Sequence, residues 1–218
     1  MTVHRSAQSR LILASASPRR RELLSLLRIP FDVRPADIDE ELAPNAKPEI
    51  EVRRLARAKA ESLRLLDLES PIISADTIVV LGDEILGKPT TADEAREMLT
   101  LLRGRKHRVF TGVVLMPAGA RGIFARQPTT DVLMRDFSDA EIDASIQRGD
   151  AYDKAGAYGI QDNLLQPVES YEGCYCNVVG LPLWTTIGLL RKSGFDTSAI
   201  AATDLLPQCT ACPLAGER

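Results

Sequence analysis

Hydrophobic and polar positions alternate along the chain in short blocks that predict both strands and helices. Residues 11–14 form an apolar run typical of a buried strand, and residues 71–81 form a second, β-branched run. Between them, residues 49–66 carry apolar side chains along one helical stripe, with arginines on the opposite side. Strands and helices that mix without strict alternation favour an α/β fold with a mixed, twisted sheet.

Turn residues and helix caps divide the rest of the chain. Residues 29–40 are expected to form a strand that leads into an acidic loop. The further predicted elements are a hairpin turn at Gly82-Asp83, a helix over 92–102, two long strands around a turn at 117–122, a helix opened by a capping box at Ser138–Glu141, strands near 164–168 and 174–179, and a helix over 183–190. Residues 196–218 are expected to form a loosely held tail.

The composition is that of an ordinary globular domain. Of the 218 residues, 44% are hydrophobic and 26% are charged, which excludes disordered and fibrous classes. The formal net charge of −3 gives no overall basic field, so neither nucleic acid nor an anionic membrane is an expected partner. No run reaches the roughly 20 apolar residues that span a bilayer, and the first ten residues lack the apolar core of a signal peptide. We therefore expect a cytoplasmic protein.

The start of the first predicted helix breaks a local rule. Ser17 and Pro18 supply an N-cap residue and a proline at the first helical position, so a helix should begin at Pro18. Residues 19–21 are all arginine, although the N-terminal end of a helix already carries partial positive charge. An anion held jointly by the backbone N–H groups and the guanidinium groups would remove this conflict. The sequence therefore predicts an anion site at this helix end.

Two charged residues fall on positions that the pattern marks as buried. Lys59 lies on the apolar stripe of residues 49–66, where it either reaches a buried polar partner or extends along apolar surface to solvent. Asp76 interrupts the second apolar run, and a buried carboxylate is costly unless it is paired, hydrogen-bonded or bound to a metal. Lys88 is a candidate partner for Asp76, and a satisfied structural aspartate at a strand end is the alternative.

These charged residues together suggest phosphate chemistry. The candidate cations are Arg19, Arg20, Lys59 and Lys88. Such cations neutralise phosphate oxygens, while a carboxylate such as Asp76 holds a divalent ion or activates water. The motif G-x-x-x-x-G-K-[ST] is absent, and His107 is expected at the surface, which argues against a histidine-based triad. The residues alone indicate a phosphate-handling α/β enzyme and define neither its base nor the bond it breaks.

The four cysteines fall late in the chain, as one C-x-C pair and one C-x-x-C pair. They are Cys174, Cys176, Cys209 and Cys212. A cytoplasmic setting disfavours disulfides. The C-x-x-C spacing also occurs in zinc sites, but a lone C-x-x-C in a tail is a weak signal. Free thiols are the favoured interpretation, with a zinc site as the alternative.

Five motifs occur in order along residues 10–192, namely LASASPRRRELL, SADTIVVLGDEILGKP, GRKHRVFTGVVL, DKAGAYGIQ and NVVGLPL. Together they resemble the Maf family of nucleoside triphosphate pyrophosphatases. The resemblance implies an elongated, two-lobed fold like that of the inosine triphosphate pyrophosphatases, with the site in the cleft. It also implies hydrolysis between the α- and β-phosphates of a nucleotide, with a divalent cation, Mg²⁺ or Mn²⁺, as cofactor.

The resemblance further implies roles for individual residues. Asp76 of SADT matches the proton acceptor and metal contact. The positions that match specificity determinants are Arg19, Thr77 and Gln161, and those that match the phosphate-binding side are Ser15, Arg20, Lys59 and Lys88. The A-D-T and G-I-Q sequences resemble the branch of the family that acts on dTTP and UTP. A glutamine amide suits such substrates because it offers a donor and an acceptor together to a uracil or thymine edge.

The resulting expectation is one nucleotide pyrophosphatase domain over residues 1–195, in two lobes around a cleft, followed by a tail over residues 196–218. A nucleoside triphosphate is the expected partner, and a homodimer is expected by family analogy. Two alternatives stay open. One is a nucleotide-binding regulator of cell division with little catalysis, and the other is a pyrophosphatase of modified purine nucleotides such as 7-methyl-GTP.

Overall fold

The computed structural model describes residues 10–43, 46–120 and 122–216. The start of the predicted domain, the end of the predicted tail and one residue of the predicted turn at 117–122 lie outside the described residues. The strands are β1 (Leu11–Leu13), β2 (Phe31–Val33), β3 (Ile72–Leu81), β4 (Glu84–Leu86), β5 (Lys106–Met116), β6 (Phe124–Arg126), β7 (Thr129–Met134) and β8 (Val168–Glu172). The helices are α1 (Pro18–Ser25), α2 (Pro48–Arg64), α3 (Ala92–Leu102), α4 (Asp139–Gln147), α5 (Tyr175–Val179) and α6 (Leu183–Lys192). None of these helices is both long enough and apolar enough to cross a membrane.

The described strands form one mixed sheet in the order β2-β1-β3-β5-β7-β8, with β4 paired to β3 and β6 paired to β5. β1 runs parallel to β2 and β3, whereas the other pairs are antiparallel. The predicted mixed α/β sheet is therefore confirmed. The turn at Gly82-Asp83 joins β3 to β4, as the sequence predicts.

α1 begins where the local signals place it. Ser17 is the N-cap residue and its side-chain oxygen accepts a hydrogen bond from the Arg20 backbone N–H, while Pro18 occupies the first turn. Leu23 and Leu24 are buried and anchor the helix against the sheet. No acidic residue lies in the first turn, so the positive end of α1 is left without local compensation.

Different helices cover the two faces of β3. Because side chains alternate along a strand, Ile72 packs under α2 with Ala56, whereas Ile73 points to the other face. On that other face, Ile73 belongs to a core with α1 and α6, and Val79 belongs to a separate core with α3 and α4. The middle of β3 lies between these two cores. This separation supports the expectation of two lobes, while the predicted domain boundaries stay a prediction.

Two predicted strands are wrong. Residues 174–179 contain α5, which ends at Val179 and is followed by the C-cap residue Gly180 in the left-handed conformation, with a φ of 120°. The Asn177 amide in this helix donates hydrogen bonds to Val109 O and Thr130 Oγ1, so contacts with β5 and β7 stabilise the helix. A short apolar run has too little periodicity to distinguish helix from strand. Residues 164 and 165 lie in a turn, residues 166 and 167 have no regular secondary structure, and β8 starts only at Val168.

The second of the two predicted long strands is interrupted. β6 ends at Arg126 and β7 begins at Thr129, with Pro128 between them. Proline has no N–H group to donate to a neighbouring strand, so a continuous ladder is not maintained there. β6 and β7 therefore pair with different parts of β5.

The C-terminal segment, defined here as residues 196–216, is packed against the domain. It contains only short 3₁₀ turns, yet Leu205, Cys209 and Cys212 are buried in the core that contains α1 and α6. Trp184 Nε1 of α6 donates a hydrogen bond to Cys209 O at 2.9 Å. The expectation of a loosely held tail is therefore wrong for the described residues.

Gly112 allows α2 to pack directly on the sheet. It pairs with Asp76 across β3 and β5, and a Cβ atom at this position would lie 2.5 Å from Val52 O and 2.9 Å from Val52 C. These are backbone atoms of α2, so no side-chain rotation relieves the contact. We expect Gly112→Ala to lower the free energy of unfolding by about 1–3 kcal/mol, measured by urea denaturation. Gly87→Ala is the control because nothing lies within 4 Å of a Cβ there, and equal midpoints for the two variants would contradict the packing argument.

Candidate active site

The candidate site lies where one edge of β3 has no partner. On that edge, β1 pairs with the first two residues of β3 and β4 pairs with its last three, so no described strand pairs there with residues 74–78. Asp76 and Thr77 lie in this gap and point to opposite faces of the sheet. The chain also leaves β1 beside the gap and enters α1. The N-terminus of α1 therefore faces the same opening.

Two adjoining cavities of about 300 and 200 Å³ occupy the gap. Every residue predicted for the site lines one or both of them. Asp76, Thr77 and Gln161 line the larger cavity, Ser15 and Lys59 line the smaller, and Arg19, Arg20 and Lys88 line both. The structure therefore brings all of the predicted site residues to one place.

Asp76 is paired with Lys59 between β3 and α2. Lys59 Nζ lies 2.6 Å from Asp76 Oδ1, and the two side chains are only 7% and 9% exposed. The same Nζ lies 2.8 Å from Glu40 Oε1, so the ammonium bridges two carboxylates. Lys59 therefore reaches a buried partner and does not extend to solvent. The suggested pairing of Asp76 with Lys88 is wrong, because Lys88 Nζ instead lies 3.1 Å from Glu40 Oε2.

Glu40 belongs to the site, although the sequence pattern does not single it out. It lies in the acidic loop that follows β2, where polar residues are normally solvated. Partial burial raises the pKa of its carboxyl group, but the hydrogen bonds and charges of Lys59 and Lys88 outweigh this effect and lower the pKa to about 2. Glu40 is therefore ionised at neutral pH.

The carboxylates of Asp76 and Glu40 fit a hard divalent cation. Both contact one ammonium group, which shows that positive charge is stabilised where they converge. Mg²⁺ typically binds one or two protein carboxylates and completes its shell with water and substrate phosphates. Within the described ranges, no three His, Cys, Asp or Glu side chains are arranged to hold a metal ion as they stand. A cation at Asp76 would therefore depend on the phosphate oxygens of a bound substrate.

Arg19 contacts an acidic residue on the far side of the cavities. Its Nη1 donates a hydrogen bond to Asp153 Oδ2 at 2.6 Å, and its Nη2 donates to Asp153 O at 3.1 Å. Partial burial raises the pKa of Asp153, but hydrogen bonds from Lys154 and Arg19 outweigh it and the pKa is lowered. The carboxylate of Asp153 thus pairs with Arg19 in the first turn of α1. The anion site expected there stays a prediction.

Arg20 is held by hydrogen bonds inside the protein. Its Nε donates to Gly180 O at 2.8 Å, and its Nη2 donates to Thr77 Oγ1 at 3.1 Å. Thr111 Oγ1 donates its hydrogen to Asn177 O at 2.7 Å, so Thr77 is the donor in the 3.0 Å contact between the two threonines. Burial lowers the pKa of Arg20. The Thr77 hydroxyl therefore connects β3 to Arg20 of α1.

His107 is buried, so the expectation of a surface histidine is wrong. The residue is 2% exposed, and its Nε2 lies 2.7 Å from the hydroxyl of Tyr158, which lines the larger cavity. Burial lowers the pKa of His107 to about 4 and raises that of Tyr158. Both groups are therefore neutral at pH 7, and they support the cavity wall as an uncharged pair.

His107 is expected to make stability depend on pH. Because its folded-state pKa of about 4 lies below the ordinary value of 6.5, the unfolded chain binds this proton first as the pH falls. The lowered pKa therefore contributes fully to the free energy of unfolding above pH 6.5. This contribution is lost as the pH falls from 6.5 to 4, at up to about 1.4 kcal/mol per pH unit. Urea denaturation from pH 7 to pH 4 should show a smaller loss for His107→Gln than for the wild type. Parallel curves would contradict the assignment.

Fold and site together define a class of α/β protein in which a helix N-terminus, several cations and a buried carboxylate surround a cavity suited to a polyphosphate. Within this class, the family model described as Maf-like protein matches residues 10–193. The chain therefore belongs to the Maf-like protein family.

Similar proteins carry a consistent name. The dTTP/UTP pyrophosphatase of Thermomicrobium roseum is 52% identical over 206 residues, which cover 94% of this chain and 94% of that protein. Proteins of the same name from Anaeromyxobacter dehalogenans and Halalkalibacterium halodurans are 47% and 46% identical, covering 85% and 86% of this chain and 95% and 97% of their own lengths. A solved structure of the Staphylococcus aureus Ham1 protein aligns with a TM-score of 0.42 at 12% identity, over 59% of this chain and 73% of that chain, which is too weak to support an argument.

Proposed function

We propose that the protein is a nucleoside triphosphate pyrophosphatase that hydrolyses dTTP and UTP to the nucleoside monophosphate and pyrophosphate. The observation that carries this proposal is the bridge of Lys59 between Asp76 and Glu40 beside cavities that Arg19 and Lys88 also line. Relatives named dTTP/UTP pyrophosphatase, at up to 52% identity over almost the whole chain, support the choice of substrates.

Asp76 is the proposed general base. Lys59 fixes its carboxylate through Oδ1, and the carboxylate accepts a proton from the water that attacks phosphorus. The new bond joins the water oxygen to the α-phosphorus. The bond from that phosphorus to the oxygen that bridges it to the β-phosphate breaks, and pyrophosphate leaves with the bridging oxygen. A divalent cation, Mg²⁺ or Mn²⁺, held by Asp76 and Glu40 would neutralise charge on the phosphate oxygens when bound.

The triphosphate is proposed to lie along the N-terminus of α1. Its oxygens would accept hydrogen bonds from Arg19, Lys88 and Ser15, with Arg20 adding positive charge from its buried position. Asp153 uses two of the five N–H donors of this guanidinium group, so the remaining donors of Arg19 could serve a phosphate oxygen. Thr77 acts in this proposal as a positioning residue, since its hydroxyl accepts a hydrogen bond from Arg20.

Gln161 is proposed to read the pyrimidine base in the larger cavity. Its amide offers a donor and an acceptor, whereas a glutamate carboxylate offers only acceptors. We expect Gln161→Glu to lower kcat/KM for dTTP and UTP by roughly 10–100-fold, the effect of one unmade hydrogen bond in a binding site. Gln166→Glu is the matched control, because Gln166 does not line either cavity. Equal kcat/KM values for the two variants would remove Gln161 from base recognition.

The experiment that tests the function is a nucleotide panel with the purified chain. dTTP, UTP, CTP, ATP, GTP and 7-methyl-GTP are each incubated with Mg²⁺ or Mn²⁺, with and without a chelator, and pyrophosphate is measured. We expect dTTP and UTP to give the highest kcat/KM and the chelator to abolish turnover. Binding of dTTP without product would favour a regulator, and a preference for 7-methyl-GTP would overturn the pyrimidine assignment.

Three expectations from the sequence extend beyond this proposal. The identity of the cation, a homodimeric assembly and a cytoplasmic location all stay predictions. The panel addresses the first of them directly, because rates with Mg²⁺ and Mn²⁺ are compared on the same substrate.

A further inference from the structure

All four cysteines of the chain meet in one buried cluster. We define the thiol cluster as Cys174, Cys176, Cys209 and Cys212. In that order the residues are 2%, 0%, 2% and 6% exposed. The first pair lies at the start of α5 and the second pair lies in the C-terminal segment. The fold therefore unites a C-x-C and a C-x-x-C sequence that the chain keeps far apart.

The sulfur atoms contact one another between the two pairs. Cys176 Sγ lies 3.4 Å from Cys209 Sγ, and Cys174 and Cys212 are buried in the same core cluster as these two residues. All four thiols are free of disulfide bonds. Buried cysteines that only fill space pack as small apolar side chains. Here Cys176 Sγ and Cys209 Sγ contact each other, and the four thiols that the fold brings together are the ligand type that a thiophilic metal prefers.

The backbone on both sides of the cluster is fixed from outside. Cys174 N donates a hydrogen bond to Thr130 Oγ1 at 3.0 Å, and Thr130 Oγ1 donates to Cys174 O at 3.2 Å. On the other side, Trp184 Nε1 donates to Cys209 O. These contacts join the first pair to β7 and the second pair to α6. Hydrogen bonds to the rest of the domain therefore hold the two cysteine pairs near each other, in addition to the contact between the thiols of Cys176 and Cys209.

We propose that the thiol cluster binds one zinc ion and that this structural site fastens the C-terminal segment to the domain. Zn–S bonds of about 2.3 Å in a tetrahedral site place the sulfurs about 3.8 Å apart. The observed 3.4 Å between Cys176 and Cys209 is about 0.4 Å shorter than that edge. In the described part of the chain no three ligand side chains enclose a metal position as they stand. Zinc binding therefore requires the thiols to lose their protons and turn toward a common centre.

The structural role follows from position and ligand number. Four cysteines fill a tetrahedral shell and leave no open position for a substrate, which is typical of structural zinc. None of the four lines either cavity of the candidate active site. The C-terminal segment, in contrast, has only 3₁₀ turns and few buried side chains of its own. A zinc ion would add a further link between this segment and the domain, beside the packing of Leu205 and the hydrogen bond from Trp184.

The direct test is the zinc content of the full-length chain after expression in zinc-containing medium and gel filtration, measured by elemental mass spectrometry. We expect about one zinc ion per chain. Cys176→Ser and Cys209→Ser should each lose most of this zinc. Thr210→Ser, a conservative change between the two cysteines of the second pair, should retain it. Asp76→Asn should also retain it, which distinguishes this site from a divalent cation in the active site.

A second measurement uses only the wild-type chain, so it does not depend on whether the variants fold. The chain is treated with a chelator under reducing conditions and titrated with Co²⁺, then with Zn²⁺. We expect thiolate-to-cobalt charge-transfer absorption that zinc abolishes, and a zinc-dependent rise of at least about 4 °C in the unfolding midpoint. The proposal would be overturned if the purified chain holds no zinc and added zinc does not slow the reaction of its thiols with an alkylating reagent. A Cys176–Cys209 disulfide as the stable form would overturn it as well.

Discussion

Asp76→Asn is expected to lower kcat for dTTP hydrolysis by about 10²–10⁴-fold while the protein remains folded. The amide has nearly the same shape as the carboxylate but does not accept a proton from water at neutral pH. Lys59 keeps Glu40 as a partner at 2.8 Å, so the variant leaves no buried charge without a counterion. The rate is measured as pyrophosphate release at saturating dTTP, and the fold by circular dichroism and the unfolding midpoint.

The matched control for this variant is Asp83→Asn. Asp83 lies in the exposed turn between β3 and β4 and carries the same chemical change away from the cavities. We expect it to keep the wild-type kcat. If Asp76→Asn retains more than about a tenth of the wild-type kcat, Asp76 is not the general base. A collapse of its unfolding midpoint would instead indicate a mainly structural role.

Lys59→Met is expected to lower the free energy of unfolding by about 3–5 kcal/mol, because it leaves the buried carboxylate of Asp76 without its partner. Methionine keeps most of the apolar contacts of the lysine side chain, so the loss reports chiefly on charge. Adding Asp76→Asn to Lys59→Met should recover part of the loss, since the uncompensated charge is then removed. Urea denaturation of the two single variants and the double variant measures this coupling.

Lys88→Met is the matched control for the stability of the bridge. Lys88 also pairs with Glu40, but its side chain is 52% exposed, and exposed pairs contribute at most about 1 kcal/mol. We therefore expect Lys88→Met to lower the free energy of unfolding much less than Lys59→Met does. Equal losses for the two variants, or a double variant that is strictly additive, would show that Lys59 and Asp76 do not act as a buried pair.

Elements with local signals could be predicted from the sequence with correct boundaries. The capping box that opens α4 joins Ser138 to Glu141, and the cap of α1 joins Ser17 to Arg20. In each case both hydrogen-bonding partners lie within one turn of each other, so the sequence pattern contains the whole interaction. For this reason the sequence alone predicts where α1 starts, and with it where the anion is expected.

The buried charges of the site could be found from the sequence, but their partners could not. Lys59 and Asp76 stand out because each interrupts an apolar pattern. Their pairing depends on how α2 crosses β3, which in turn depends on the close approach that Gly112 allows. Glu40 gives no such signal, because an acidic residue in a polar loop is ordinarily solvated. Its role follows only from the folded structure.

The region after residue 160 shows where sequence reasoning from local patterns fails. Residues 174–179 are apolar and short, and contacts of Asn177 with β5 and β7 stabilise a helix there. The C-terminal segment has a loop-like composition, yet its buried cysteines lie against a pair that precedes them by about 33 residues. Long-range packing of this kind leaves no periodicity in the sequence.

The central claim is that the site cleaves a nucleoside triphosphate between its α- and β-phosphates, and product analysis tests it most directly. Purified protein is incubated with dTTP and Mg²⁺, and the products are separated by anion-exchange chromatography. The account predicts dTMP and pyrophosphate in equal amounts, without orthophosphate. Formation of dTDP and orthophosphate, or no product at all from dTTP and UTP, would contradict it.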